Sequence, residues 1–132
     1  MRKNRGSVTV EMVLLAPVLA LFVTFVVAAG RFNQAGMTVR EAADSAAREA
    51  SLVSVGRIIP TGVSRARAEL RRGARWCSEG SADATLSQRN GTRIVTVRVS
   101  CAVNRTGILS VMAGPVRVVA ESSEVIDAFA FR

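Results

Sequence analysis

Between Gly6 and Gly30 the chain carries one charge, the carboxylate of Glu11, five residues after the first glycine. An acid carried to the centre of a bilayer costs about 2.5–3.5 kcal/mol on insertion scales, so this position demands a reason. The plainest is that the positive end of a helix dipole favours an acid in the first turn of a membrane helix. The second group with chemistry is the pair Cys77 and Cys101, separated by enough chain to close a loop of more than twenty residues. The third is a set of arginines, Arg65, Arg67, Arg71, Arg72 and Arg75, packed into eleven residues. There is no histidine, and the single lysine is Lys3, so general-base work would fall to scattered carboxylates. No GxSxG, Ser-x-x-Lys, Walker loop or dinucleotide fingerprint is present. These absences argue against an enzyme, and no cofactor is expected. Two cysteines without histidine fall short of the four ligands of a structural zinc site, so no metal is expected either.

The elements that hold these groups begin with residues 12–30, nineteen in a row without a charge. At ~1.5 Å per residue they are long enough to cross a hydrocarbon core of ~30 Å. Arg2, Lys3 and Arg5 precede them, and short basic flanks stay on the cytoplasmic side, so the remaining hundred residues are expected outside the cytoplasm. There the two cysteines should be oxidised to a structural disulfide. A different reading stays open. The same start can be a secretory signal cut after Val27-Ala28-Ala29, leaving a secreted basic domain, although its apolar run exceeds the ~7–15 residues of a usual signal core.

Past the span, Ala35, Val39, Ala42, Ala43, Ala46, Ala47 and Ala50 recur at spacings of three and four. One long helix is therefore expected to continue to about residue 55, its alanine stripe packing closely on a helix or sheet. Its other face carries Arg40, Glu41, Asp44, Arg48 and Glu49, with Asp44 and Arg48 at a pairing distance of four residues. Pro17 predicts a kink within the span, and Gly56 and Pro60 an end. A second amphipathic helix is expected after Pro60, capped by Thr61 or Ser64 and ending near Gly73. Val63, Ala66, Leu70 and Ala74 form its apolar side and the five arginines its charged one. From residue 82 the period changes to two, predicting a strand at 84–88, an Asn90-Gly91 turn and a strand at 92–103. In the latter, Val95, Val97, Val99, Cys101 and Val103 face one way and Thr96, Arg98 and Ser100 the other. Residues 116–120, after Gly114-Pro115, supply a third strand. The fold class is α+β: a long N-terminal transmembrane helix, a second short helix and a three-stranded antiparallel sheet.

The basic run, Gly6, then Ser7-Val8-Thr9-Val10-Glu11 and an unbroken apolar helix resemble the class III signal of type IV pilins and pseudopilins. Within that superfamily the start resembles TadE-like proteins, minor pilins or pseudopilins of tight-adherence (Flp) pilus systems. The likeness covers about fifty residues and rests on Arg5-Gly6, Val10-Glu11, Ala16-Pro17, Gly30-Arg31 and the alanine-rich segment 41–50. It departs at Met12, where the family often has Phe or Tyr. The resemblance implies a peptidase cut between Gly6 and Ser7. Glu11 then becomes the fifth residue of a mature helix and docks against the freed amino terminus of a neighbouring subunit. It also implies the partners: a prepilin peptidase, other pilin-like subunits and inner-membrane pilus platform proteins.

The expected organisation is a cytoplasmic leader (1–6), a transmembrane stretch (7–30), its continuation outside the membrane (31–56) and a small α+β head (57–132). The expected place is a bacterial inner membrane, single-pass, or a surface pilus, and the expected work is non-enzymatic pilus assembly. The alternative is an anchored or secreted basic module whose arginine face holds an acidic ligand, an anionic lipid surface or DNA. Nucleic acid ranks last, because the chain has no Tyr and one Trp, Trp76, with which to stack bases. A solvated face is the plain reading of those arginines.

Overall fold

The structure is a computed structural model and describes residues 5–73, 75, 77–103 and 116–126. The order is a helix α1 (Arg5–Ser51), a 3-10 turn (Val55–Arg57), a helix α2 (Ile58–Arg72), and strands β1 (Cys77–Arg89), β2 (Thr92–Val103) and β3 (Arg117–Ile126). The expected α+β architecture is the one observed. Arg2, Lys3, Ala74, Trp76, Gly114 and Pro115 lie outside the described residues.

Helix α1 has 47 residues and runs without interruption through Pro17. A proline lacks the amide that would bond to the carbonyl four residues back, and here the flanking turns carry the helix past it. Thr24 Oγ1 donates to the Ala20 carbonyl at 2.7 Å, which satisfies the hydroxyl within the apolar stretch. Through residues 9–30 every side chain is exposed, so this part of α1 stands clear of the other described residues. Burial begins at Ala35. Ala35, Val39, Ala42, Ala43, Ala46, Ala47 and Ala50 are all fully buried, and α1 packs there against α2, β2 and β3 together.

The chain turns after Ser51, four residues short of the expected end, and α2 starts before Pro60 instead of after it. Pro60 is the third residue of α2, in the first turn, where the amide it lacks has no intrahelical acceptor to miss. Neither Thr61 nor Ser64 is the cap; Arg57 holds that position without a side-chain bond. The earlier start brings Ile58 and Gly62 into a stripe with Ala66 and Leu70, all four buried at spacings of four. Gly62 marks the closest approach: a Cβ there would lie 3.3 Å from Val97 Cγ2 and 3.4 Å from the Cβ atoms of Ala50 and Ala84. Helix, helix and sheet meet at that point.

The sheet has the order β1-β2-β3, antiparallel throughout. Asn90 and Gly91 both have positive φ (50° and 80°), the backbone a two-residue hairpin needs, and Arg89 pairs with Thr92 across it. Val95, Val97, Val99 and Cys101 are fully buried under the helices. On the neighbouring strands Ala82, Ala84, Ala120 and Val118 complete that face. Both outer strands are longer than expected. β3 extends to Ile126 through Glu121-Ser122-Ser123-Glu124, a polar run that alternates between exposed and half-buried positions. β1 reaches back to Cys77 through a bulge, where Ser78 faces Ala102 and Ser81 faces Ser100, so β1 spends one residue more than β2. Glu79 takes up the irregularity with φ 47°.

That bulge has a chemical result. In a regular strand, residues facing the helices would share the parity of Ala82 and Ala84, which would turn Cys77 outward. The extra residue reverses the parity, so Cys77 is buried beside Cys101 and the two form a disulfide with Cα atoms 5.4 Å apart. The bond joins the start of β1 to the end of β2.

Candidate functional site

Gly6 and Ser7 lie in the first turn of α1, and Glu11 follows in the second, exposed among exposed Val10, Met12, Leu14 and Leu15. Ser7 and Glu11 are four residues apart, so they lie one above the other on one side of the helix, about 6 Å apart along its axis. The apolar stretch meets the length and composition for a membrane span, and none of its most apolar window is buried within the chain. Glu11 therefore sits at the open end of an unpartnered apolar rod.

Farther along, α1 presents a second exposed side. Arg40, Glu41, Asp44 and Arg48 are solvent-facing, and among the described residues none of them forms an ion pair. Asp44 and Arg48 do not pair despite their spacing, because an exposed pair gains little in water against the entropy of holding two side chains. Met37 and Leu52, 67% and 72% exposed, bracket these charges.

The five arginines separate into two groups. Arg65 is half-buried: its Nη2 lies 2.9 Å from Glu69 Oε1, and its Nε lies 3.2 Å from Glu49 Oε2, close but not aligned for a hydrogen bond. Arg72 donates to the same Glu69 at 3.0 Å. Glu69 thus holds two arginines, and Glu49 ties α2 back to α1. Arg67, Arg71 and Arg75 are exposed and take part in no ion pair among the described residues. The anchor missed at the level of sequence is Glu69. Its spacing of four from Arg65 and three from Arg72 was the available signal. The Glu49 contact between helices had none.

The sheet's outer face carries cross-strand rows. Asp83, Arg98 and Glu121 are level across the three strands, with Arg98 Nε 3.4 Å from Glu121 Oε1. Above and below, Ser81 and Ser100 hydroxyls are 2.8 Å apart, as are those of Thr96 and Ser123. These side chains satisfy one another.

Helix α1 thus carries an acid near the mouth of an apolar rod, the rod itself, and beyond it a row of exposed charges that form no ion pair among the described residues. This is also the part of the chain that resembles known proteins. Residues 6–48 match the TadE-like protein family. The TadE-like segment starts at Gly6, includes Glu11 and the whole apolar stretch, and ends at Arg48 within the alanine stripe. No curated protein and no solved structure matches the chain.

Proposed function

We propose that this chain is a membrane-held pseudopilin or minor pilin that takes part in assembling a tight-adherence pilus or a related secretion machine. The observation that carries the reading is the continuity of α1. One helix joins the Gly6-Ser7 junction, Glu11 and the exposed apolar stretch to the buried alanine stripe of the head, so a subunit held by its apolar half also positions its head. The cut falls between Gly6 and Ser7, the carboxylate of Glu11 neutralises the amine so formed on a neighbour, and the head lies outside the cytoplasm. In lipid such a pair relieves two charges that would each be costly alone. Partners are a prepilin peptidase, pilin-like subunits and the inner-membrane platform, and the role is non-enzymatic.

The test is the intact mass and N-terminal sequence of the protein recovered from membranes of its own host. A start at Ser7 supports the proposal. A start at Gly30 replaces it with a secreted basic domain, and an uncut Met1 reduces it to a plain anchor. Glu11→Ala should leave the head folded and stop assembly.

The reading as a basic binding module is favoured by the three exposed arginines outside the Glu69 cluster. Reversing Arg67, Arg71 and Arg75 to Glu distinguishes the two. Loss of binding to anionic vesicles with assembly intact favours the module, whereas assembly that depends on Glu11 and not on these arginines favours the pseudopilin.

A further inference from the structure

Arg40, Asp44 and Arg48 stand at successive spacings of four on α1, so they form one axial row of alternating sign on the exposed side of the helix. None is neutralised within the described residues. The row discriminates between ways of laying two copies side by side. A parallel pair in register sets Arg40 on Arg40, Asp44 on Asp44 and Arg48 on Arg48, three like contacts. An antiparallel pair centred on Asp44 sets Arg40 on Arg48, again like on like. Displacing one parallel copy by four residues, about 6 Å along the axis, sets Asp44 against Arg40 and Arg48 against Asp44, two unlike contacts and no like one. A displacement of eight residues returns to Arg48 on Arg40. The same four-residue displacement brings Glu41 and Glu49 level with Ser45 instead of with themselves.

We propose that this row is a docking surface for a second copy of this chain, and that it sets the axial offset between neighbours at four residues. The offset matches an independent spacing at the other end of α1. Glu11 of one copy comes level with Ser7 of the next, where the cut would leave an amine; this coincidence rests on the pseudopilin reading above. Both ends of a helix of 47 residues then ask for the same displacement. Met37 and Leu52 flank the row and supply apolar contact on either side.

The test uses the full chain in its host membranes, as two differently tagged copies, one carrying Met37→Cys and the other Glu41→Cys, treated with a short bismaleimide. The native cysteines are joined and do not react. The four-residue offset predicts cross-linking of position 37 to position 41 about tenfold above 37 to 37, decreasing with added salt. Asp44→Arg, which makes the row all positive, should abolish that preference, and Arg40→Asp/Asp44→Arg/Arg48→Asp, which restores alternation with inverted sign, should recover it. Retention of the Cys77–Cys101 disulfide in each variant shows that the head is folded. Equal cross-linking at 37–37, no effect of Asp44→Arg, or no recovery in the triple variant overturns the proposal. If Glu11→Gln abolishes cross-linking while Asp44→Arg does not, the docking row is wrong and the pseudopilin reading stands. A chain that starts at Met1 and never cross-links overturns both.

Discussion

Cys77→Ser/Cys101→Ser should cost the head the stability that closing its loop supplies, whereas deleting Gly80 should leave the disulfide in place. The bulge between Ser78 and Ser81 absorbs one residue and so sets Cys77 opposite Val103, and a β1 without Gly80 pairs residue for residue with β2. Cys77 then lies four steps from Ala82 instead of five, still opposite Val103 on the buried face, and the bond to Cys101 can still close. The magnitude follows from the loop. For a sequence separation of 24, the chain-entropy model puts the contribution of the disulfide at about 3.5 kcal/mol. That is a large share of the ~5–15 kcal/mol that usually separates folded from unfolded domains. The assay has two parts. Maleimide labelling without reductant, read by intact mass, should add no group to the parent and none to the Gly80-deleted chain. Urea-pulse proteolysis of the full chain in mild detergent should show Cys77→Ser/Cys101→Ser destabilised by about that amount. Added reductant should lower the parent toward that level and leave the double-serine variant unchanged. A Gly80-deleted chain that takes up two maleimides would refute the argument, because it would show that strand parity does not decide where Cys77 points.

Other substitutions test the packing and the charges. Gly62→Val should destabilise the head by about 1–3 kcal/mol in chemical denaturation, since its branches must enter space held by Val97, Ala50 and Ala84. Gly62→Ala should be near neutral, because a helix-propensity gain of about 1 kcal/mol offsets a contact that is tight by only tenths of an ångström. Ala46→Leu, in a site with no exposure, should cost about 1–3 kcal/mol and be read the same way. Glu69→Gln should lower stability by about 1 kcal/mol, because it releases Arg65 and Arg72 together. Glu121→Gln, which breaks an exposed pair with Arg98, should change it by less than about 0.5 kcal/mol.

Much of the fold is legible in local pattern. The alanine stripe of α1 announces a close-packed side, and every member of it is buried. Asn90-Gly91 announces a hairpin, and both residues adopt the positive φ that it requires. What stayed hidden is instructive in each case. The first half of β1 is built from Ser, Glu and Gly with a change of parity in the middle, so no period of two runs through it. Glu121 to Glu124 in β3 reads as a loop because the residues are polar. It is held as a strand by main-chain pairing to β2, which asks little of the side chains on a half-exposed edge. α2 starts at Ile58 because tertiary packing buries Ile58 and Gly62, and Pro60 is read as a stop only when its position in the first turn is unknown.

The charges of the candidate site divide in the same way. Which residues are charged, and that Arg40, Asp44 and Arg48 share a helix face, follow from the sequence and the 3.6-residue turn. Which charges are already spent does not. In the sequence Arg65 differs from Arg67 and Arg71 only by its four-residue spacing from Glu69, and its approach to Glu49, 3.2 Å away, came only when α2 was laid beside α1. The apolar span, its single acid and the alternation of β2 are properties of neighbours in the chain, and short-range geometry suffices to read them. Pairing across helices, the face that Cys77 occupies and the close approach at Gly62 depend on segments distant in sequence being brought together, and only the tertiary structure decides them.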